Sequence, residues 1–344
     1  MWRGAPAAGW LLLGCLLSGP ACRNTVPSPA SLVDEGVLAD LATPDVNRTP
    51  DGHGTPDDKG APDRGDATTR GWRVVTPPAA AHLAAVWGSR RDDVWAVGDQ
   101  GAIFHYDGKA WKSWPAVTSA ALNGVWGVSD KRAWAVGAGG ATITFNSGSW
   151  SVISSPVTTD LLAVWAGSSS DIWAVGSGGA ILHHNGSSWS STASPTTKDL
   201  VAVWGSSSGD VWAAGATGIL LRHQGSGPWQ TFSSPTQSAL KGMWGRSAQH
   251  VWCVGADGAV LFYNGGSWSE KIAPGGAVLR AAAGDPAGGP IWIAGANGAL
   301  IGYDGTTFTT GPLLVTATLR GAWGASGGEI WIVGNVGAML HYLP

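Results

Sequence analysis

The chain has 344 residues, with 20 Lys and Arg against 23 Asp and Glu, a formal net charge of −3, 53 Gly, 22 Trp and three Cys. A near-neutral balance without a basic stripe excludes nucleic acid as an expected partner. Of the three cysteines only Cys253 lies beyond residue 70, so that region has no disulfide framework or zinc spacing and its stability must come from packing.

Residues 1–22 read as an export signal. Arg3 supplies the positive start, and the apolar stretch 5–17 is too short to span a bilayer of roughly 30 Å. Ser18, Gly19 and Pro20 then break the helix. Two cysteines are candidates for lipidation. Leu12-Leu13-Gly14-Cys15 is the better match to a lipoprotein box, whereas Cys22 is followed by the polar, Pro-rich sequence a tether needs. The assignment goes to Cys22, with Cys15 as the alternative and secretion without a lipid as the third reading.

Residues 23–70 form a linker rich in Pro, Asp and Thr. It contains the six-residue repeat TPDVNR, TPDGHG, TPDDKG, APDRGD. Regular Pro blocks helix and ladder pairing, and there is almost nothing apolar to bury, so the segment is expected to be disordered. Its 48 residues would hold a domain about 40 Å from a membrane surface. The Asp spacing is not that of an EF-hand loop.

From residue 71 to the end the chain is electrically neutral, with 14 acids and 14 bases. Seven units repeat Leu-x-x-Val-Trp-Gly, a polar turn, and Asp-Val-Trp-Ala-Val-Gly. The first Trp stands at Trp87, Trp126, Trp165, Trp204, Trp244 and Trp323, with Ala283 in the sixth unit. The second stands at Trp95, Trp134, Trp173, Trp212, Trp252, Trp292 and Trp331, in steps of 39 or 40 residues. A fixed period near 40 marks a repeat fold. Each unit reads as four short strands, a to d, joined by Gly- and Asp-containing turns. Apolarity falls from a to d, which places a in the interior on both faces and d at an outer edge.

The last unit ends after strand c, while an unpaired strand d, Gly71-Trp72-Arg73-Val74-Val75, precedes the first unit. It extends an aromatic column Trp72, Trp111, Trp150, Trp189, Trp229, Trp268, Phe308. One missing strand and one spare strand imply ring closure. The expected fold is all-β: a seven-bladed β-propeller of four-stranded antiparallel blades over 71–344, its last blade completed by the strand around Trp72. The Trp columns read as glue between blades, with a carbohydrate-stacking row as the sharper alternative. Two glycine columns, one closing strand b from Gly98 and one opening strand c from Gly101, imply positive φ or close backbone approach.

The unit L-x-x-V-W-G-S-x-x-x-V-W-x-V-G-x-x-G-x-I-x-x-x-x-G-x-x-W resembles the tectonin-type repeat, and also BNR-like and photosystem II assembly factor-like propellers. The sialidase Asp-box and the Gly-His and Trp-Asp signatures of WD repeats are absent. The resemblance implies binding of protein or glycan at loops, without assigning particular residues to contacts.

Candidate chemistry is sparse. Asp93, Asp171, Asp210 and Glu329 share a turn column and read as hairpin residues. His105, His183 and His341 share a strand-c column, and His184 and His223 share another otherwise held by Tyr and Phe; both read as packing. No metal spacing or nucleophile–base order is present, so no catalytic residue, metal or cofactor is expected. Cys253 falls in an alanine column and reads as buried. Loops d–a and b–c share the expected ligand face, where Asp99, Gln100, Asp257, Asn297 and Asn335 are the candidate contacts. Arg90, Arg91, Lys131, Arg132 and Arg246 on the opposite face read as solvated turn residues. Blade 6, with Ala283 and the long turn GDPAGGP, is either a drifted blade or a docking notch. The expected protein is an exported monomer at the outer membrane, periplasm or cell surface, touching membrane through a lipid anchor only. Its expected role is a non-catalytic scaffold for protein or glycan. The alternatives are an assembly factor for one envelope partner and a glycan-directed hydrolase or lyase with acids or His converging on the axial pocket.

Overall fold

The computed structural model describes residues 70–344; Cys15, Cys22 and the linker up to residue 69 lie outside the described residues. Seven sheets, each of four antiparallel strands, are arranged as blades around an axis. Blade 1 comprises strand a (Leu83–Arg90), b (Asp93–Gly98), c (Ile103–Tyr106) and d (Trp111–Trp114). Strand a of each blade packs on strand a of the next, and that of blade 7 packs on blade 1. Gly71–Val74 pairs antiparallel with Met339–Leu343, setting Trp72 opposite Tyr342, so the N-terminal strand supplies the outer strand of blade 7. With that strand in place all seven blades have four strands.

Tryptophan builds the joints twice over. Near the axis, the strand-a indole tips of Trp87, Trp165, Trp204, Trp244 and Trp323 each enter a hole in the next blade, opened by Gly127, Gly205, Gly245, Gly284 and Gly88; Ala166 stands at the glycine position of blade 3, and Ala283 leaves blade 6 without an indole. A Cβ on Gly245 would lie 2.5 Å from Cη2 of Trp204, a separation that non-bonded carbons do not reach. The Trp-Gly dipeptide therefore carries both halves of the joint, knob toward one neighbour and hole toward the other. Further out, five of the six strand-d Trp residues meet the strand-b Trp of the preceding blade edge-on. The pairs Trp150–Trp95, Trp229–Trp173, Trp268–Trp212, Trp72–Trp292 and Trp111–Trp331 have centroids 5.1 to 5.5 Å apart and planes at 81° to 89°. This is the arrangement the ring quadrupoles favour. None of these five outer indole N–H groups has a conventional acceptor among the described residues. Trp72 and Trp111 show the same contact across the closure as the other pairs within the ring.

The two glycine columns have different causes. Gly98 is extended, and a Cβ there would lie 2.0 Å from the His82 carbonyl oxygen, so close approach alone demands glycine. Gly140 combines φ +75° with a Cβ position 2.0 Å from the Val157 carbonyl oxygen. Cys253 is fully buried in the joint between blades 4 and 5, and burial pushes its thiol pKa far up.

Candidate functional site

Strand a departs from the expectation of burial on both faces. In all seven blades its second residue is a β-bulge: Leu83 pairs with Gly98 and Ala85 with Val97, leaving Ala84 without a cross-strand partner, and the same slip recurs in blades 2 to 7. The bulge residues are Ala84, Asn123, Leu162, Val201, Lys241, Arg280 and Arg320. Each keeps solvent access although strand a is innermost. With neighbouring blades on both flanks and strand b outside, the free side of strand a at the bulge is the one toward the axis. A bulge re-aims its side chain in this way. Because strand a begins at the d–a loop, the ring lies near the mouth on the face of the d–a and b–c loops.

The ring is electrically lopsided. Blades 5, 6 and 7 contribute Lys241, Arg280 and Arg320, while blades 1, 3 and 4 contribute Ala84, Leu162 and Val201. Asn123 donates to the Leu161 carbonyl at 2.9 Å. No carboxylate occupies the ring, and none of the three cations has a salt bridge among the described residues. The Nε of Arg280 is buried without an acceptor. Burial, and after it the adjacent Arg320 charge, lowers the Arg280 pKa, yet a guanidinium remains charged at neutral pH. Like charges held together at a partly desolvated opening attract an anion. The acids and histidines a hydrolytic axial site needs do not occur among the seven bulge residues.

The five loop candidates sit on the expected face. The backbone N–H of Asp99 bonds the His82 carbonyl at 2.9 Å, tying a b–c turn to a d–a loop. Gln100, Asp257 and Asn297 occupy the left-handed position of their turns, with φ of 56°, 57° and 55°. Turn geometry explains the preference for Asn, Asp and Gly at that column. Asp257 accepts from Ser238 Oγ at 2.9 Å, and Asn335 Oδ1 is buried without a partner. Asp99 and Gln100 share blade 1 and the other three stand on separate blades; no hydrogen bond joins any two of the five among the described residues.

On the opposite face, the turn acids and strand-c bases that were read separately are partners. His105 Nε2 lies 2.6 Å from Asp93 Oδ1, His183 Nε2 2.8 Å from Asp171 Oδ1, and His341 Nε2 2.5 Å from Glu329 Oε1. Arg222 Nε donates to Asp210 Oδ1 at 2.7 Å. Each base also lies on its strand-b Trp: His105 on Trp95 at 4.1 Å, His341 on Trp331 at 3.8 Å and 9°, Arg222 over Trp212 at 4.7 Å. Burial works against the Asp93 charge, but bonds from His105 and Ser89 outweigh it and hold the carboxyl below its ordinary value. The signal was present in the sequence: wherever strand b begins with an acid, a base follows 12 residues on, and Arg132, His250 and Pro290 are followed by Thr144, Phe262 and Gly302. The basic turn residues are likewise engaged. Arg90 pairs with Asp92 and Asp130, Arg132 lies over Trp134, and Arg246 lies between blades 5 and 6. The reading of Arg246 as a solvated turn residue is corrected: its guanidinium is held by the Asp285 and Gly289 carbonyls and lies over Trp244 and Trp252.

Fold and ring together define a seven-bladed β-propeller with an axial mouth. No family model matches the chain, and no curated protein matches it either. Among solved structures it is similar to YCF48 bound to D1 peptide, at 19% identity and TM-score 0.67 over 80% of this chain and 96% of that one. YCF48 from Cyanidioschyzon merolae matches at 21% identity and TM-score 0.64, over 80% and 99%. A streptogramin B lyase matches at 17% identity and TM-score 0.70, over 78% and 96%. The resemblance to photosystem II assembly factor-like propellers is thus present in three dimensions, and at these identities it extends to the fold.

Proposed function

We propose that this chain is an exported, lipid-tethered, non-catalytic scaffold whose propeller docks an acidic segment of a protein partner at the axial mouth. The observation that carries the reading is the set of three unpaired cations, Lys241, Arg280 and Arg320, on consecutive bulges. A structural neighbour in complex with a peptide supports a peptide ligand over a glycan. The apolar half of the ring, Ala84, Leu162 and Val201, suits the aliphatic side chains of such a segment. Export and tethering rest on the signal-like residues 1–22 and on Cys22 or Cys15.

The test is fluorescence anisotropy with a Glu-rich peptide and its Gln-rich counterpart. The acidic peptide binds, the neutral one does not, and affinity falls as salt rises. Replacing Lys241, Arg280 and Arg320 together by Ala lowers affinity at least about tenfold and flattens the salt dependence. Equal binding of both peptides, or an unaffected triple variant, refutes the docking mode. Lipid-precursor labelling that persists in Cys22→Ala moves the anchor to Cys15; absence of labelling in the wild type refutes tethering.

A further inference from the structure

At six of the seven joints the strand-b Trp meets an aromatic ring of the next blade's strand c. The pairs are Trp95–Phe145, Trp134–His184, Trp173–His223, Trp212–Tyr263, Trp292–Tyr342 and Trp331–Tyr106, with centroids 4.7 to 6.3 Å apart. Between blades 5 and 6 the contact is missing among the described residues: Tyr303 keeps the contact with the strand-d aromatic of its own blade, Phe308 at 4.5 Å, but does not meet Trp252. A cavity of about 200 Å³ opens there, bounded by Arg246, His250, Trp252, Phe262, Tyr303 and Asp304. That is the room of roughly six or seven waters, enough for one six-membered ring and its substituents.

Between Arg246 and His250 the wall of this cavity carries no acid. In blades 1 and 4, a serine bonds the acid four residues on, Ser89 to Asp93 at 2.5 Å and Ser206 to Asp210 at 2.9 Å, and that acid takes a second bond from His105 or Arg222. In blade 5 the two positions are Arg246 and His250. Two donor-bearing groups stand where a donor and an acid stand elsewhere. Arg246 is held in place with Nε on the Asp285 carbonyl at 3.1 Å, Nη2 on the Gly289 carbonyl at 2.7 Å, and its guanidinium 5.4 Å from the Trp252 ring centre. Its Nη1 has no partner among the described residues, and His250 bonds only Ser247 Oγ, at 3.2 Å. Asp304, the one carboxylate on the wall, commits both oxygens to Thr306 and Thr307. The long turn of blade 6, with carbonyls that grip Arg246, is therefore part of the cavity and not drift alone.

We propose that the cavity binds a small carboxylate carried on a ring. The carboxylate supplies the acceptor missing between Arg246 Nη1 and His250, and the ring lies among Trp252, Phe262 and Tyr303. This site is on the face opposite the axial mouth and stands independently of peptide docking there. A sugar acid and an aromatic acid share the chemistry, since either presents a flat apolar face beside a carboxylate.

Isothermal titration of the full chain with galacturonate, benzoate and neutral glucose tests it. At least one acid binds, and glucose binds at least about tenfold more weakly. The tighter acid identifies the ligand as a sugar acid or an aromatic acid. Arg246→Gln lowers affinity roughly ten- to a hundredfold. Because Arg246 also holds the blade 6 turn, His250→Asp is the second variant. It restores the acid found in blades 1, 3 and 4, preserves the melting temperature, and lowers affinity as strongly by offering Arg246 an internal carboxylate. No binding of either acid, equal binding of glucose, or unchanged affinity in a folded His250→Asp variant overturns the proposal.

Discussion

The inner joint makes a quantitative claim about Trp204 and Gly245. A methyl on Gly245 would lie 2.5, 2.6 and 2.7 Å from three atoms of the Trp204 ring, and the glycine's own φ is not in the left-handed region. The cost of Gly245→Ala is therefore overpacking against one side chain, about 1–3 kcal/mol. Trp204 is 6% exposed, so Trp204→Ala costs about 3–5 kcal/mol. Once the indole is gone the methyl enters vacated space, and Gly→Ala at a compatible backbone gains about 0.4–1 kcal/mol from the unfolded chain. The double-mutant cycle should show a favourable coupling of about 1.5–4 kcal/mol, with the double variant no less stable than Trp204→Ala alone. Urea midpoints at constant m value measure it. Additive costs, with coupling below about 0.5 kcal/mol, would show that the glycine column serves strand geometry and that the knob-and-hole account is wrong.

Three further outcomes follow from the same contacts. A chain starting at Arg70 keeps the closing strand and one starting at Thr76 loses it. The loss of four ladder positions, the Trp72–Trp292 edge contact and the Arg73–His341 bond at 3.1 Å should lower the melting temperature by roughly 10 °C; equal melting would refute closure by this strand. Val336 is a β-branched residue at φ +56° and 77% exposed, so Val336→Asn should raise the melting temperature by about 2–4 °C. Burial lowers the pKa of His184 and His223 in the folded state, so each stabilises above the unfolded value near 6.5 and loses that contribution as pH falls toward the folded value. Melting should drop between pH 7 and 5, and His223→Tyr, the residue of that column in blades 5 and 6, should flatten the drop; an identical pH profile in the variant would remove His223 from the account.

Strand pattern, repeat length and the closing role of Trp72 were legible because they depend on neighbours in sequence: turn glycines, short apolar runs and a count of strands at the two ends. The acid–base pairs were half legible. Asp93 and His105 each appeared in an aligned column, but only the antiparallel register of strands b and c, with Trp95 opposite His105, makes residues 12 apart into partners. The candidate sites were not legible. Nothing around Lys241, Arg280 or Arg320 marks a bulge, and side chains about 40 residues apart become one cationic arc only when seven inner strands share an axis. The cavity between blades 5 and 6 depends in the same way on Tyr303 not meeting Trp252 across the joint. The sequence by itself determined the unit and the number of units, because hydrogen-bonded hairpins are local and the Trp-Gly dipeptide recurs in five of the seven units. The tertiary structure alone decided what the non-repeating residues do, because closing the ring sets each of them beside positions from other blades.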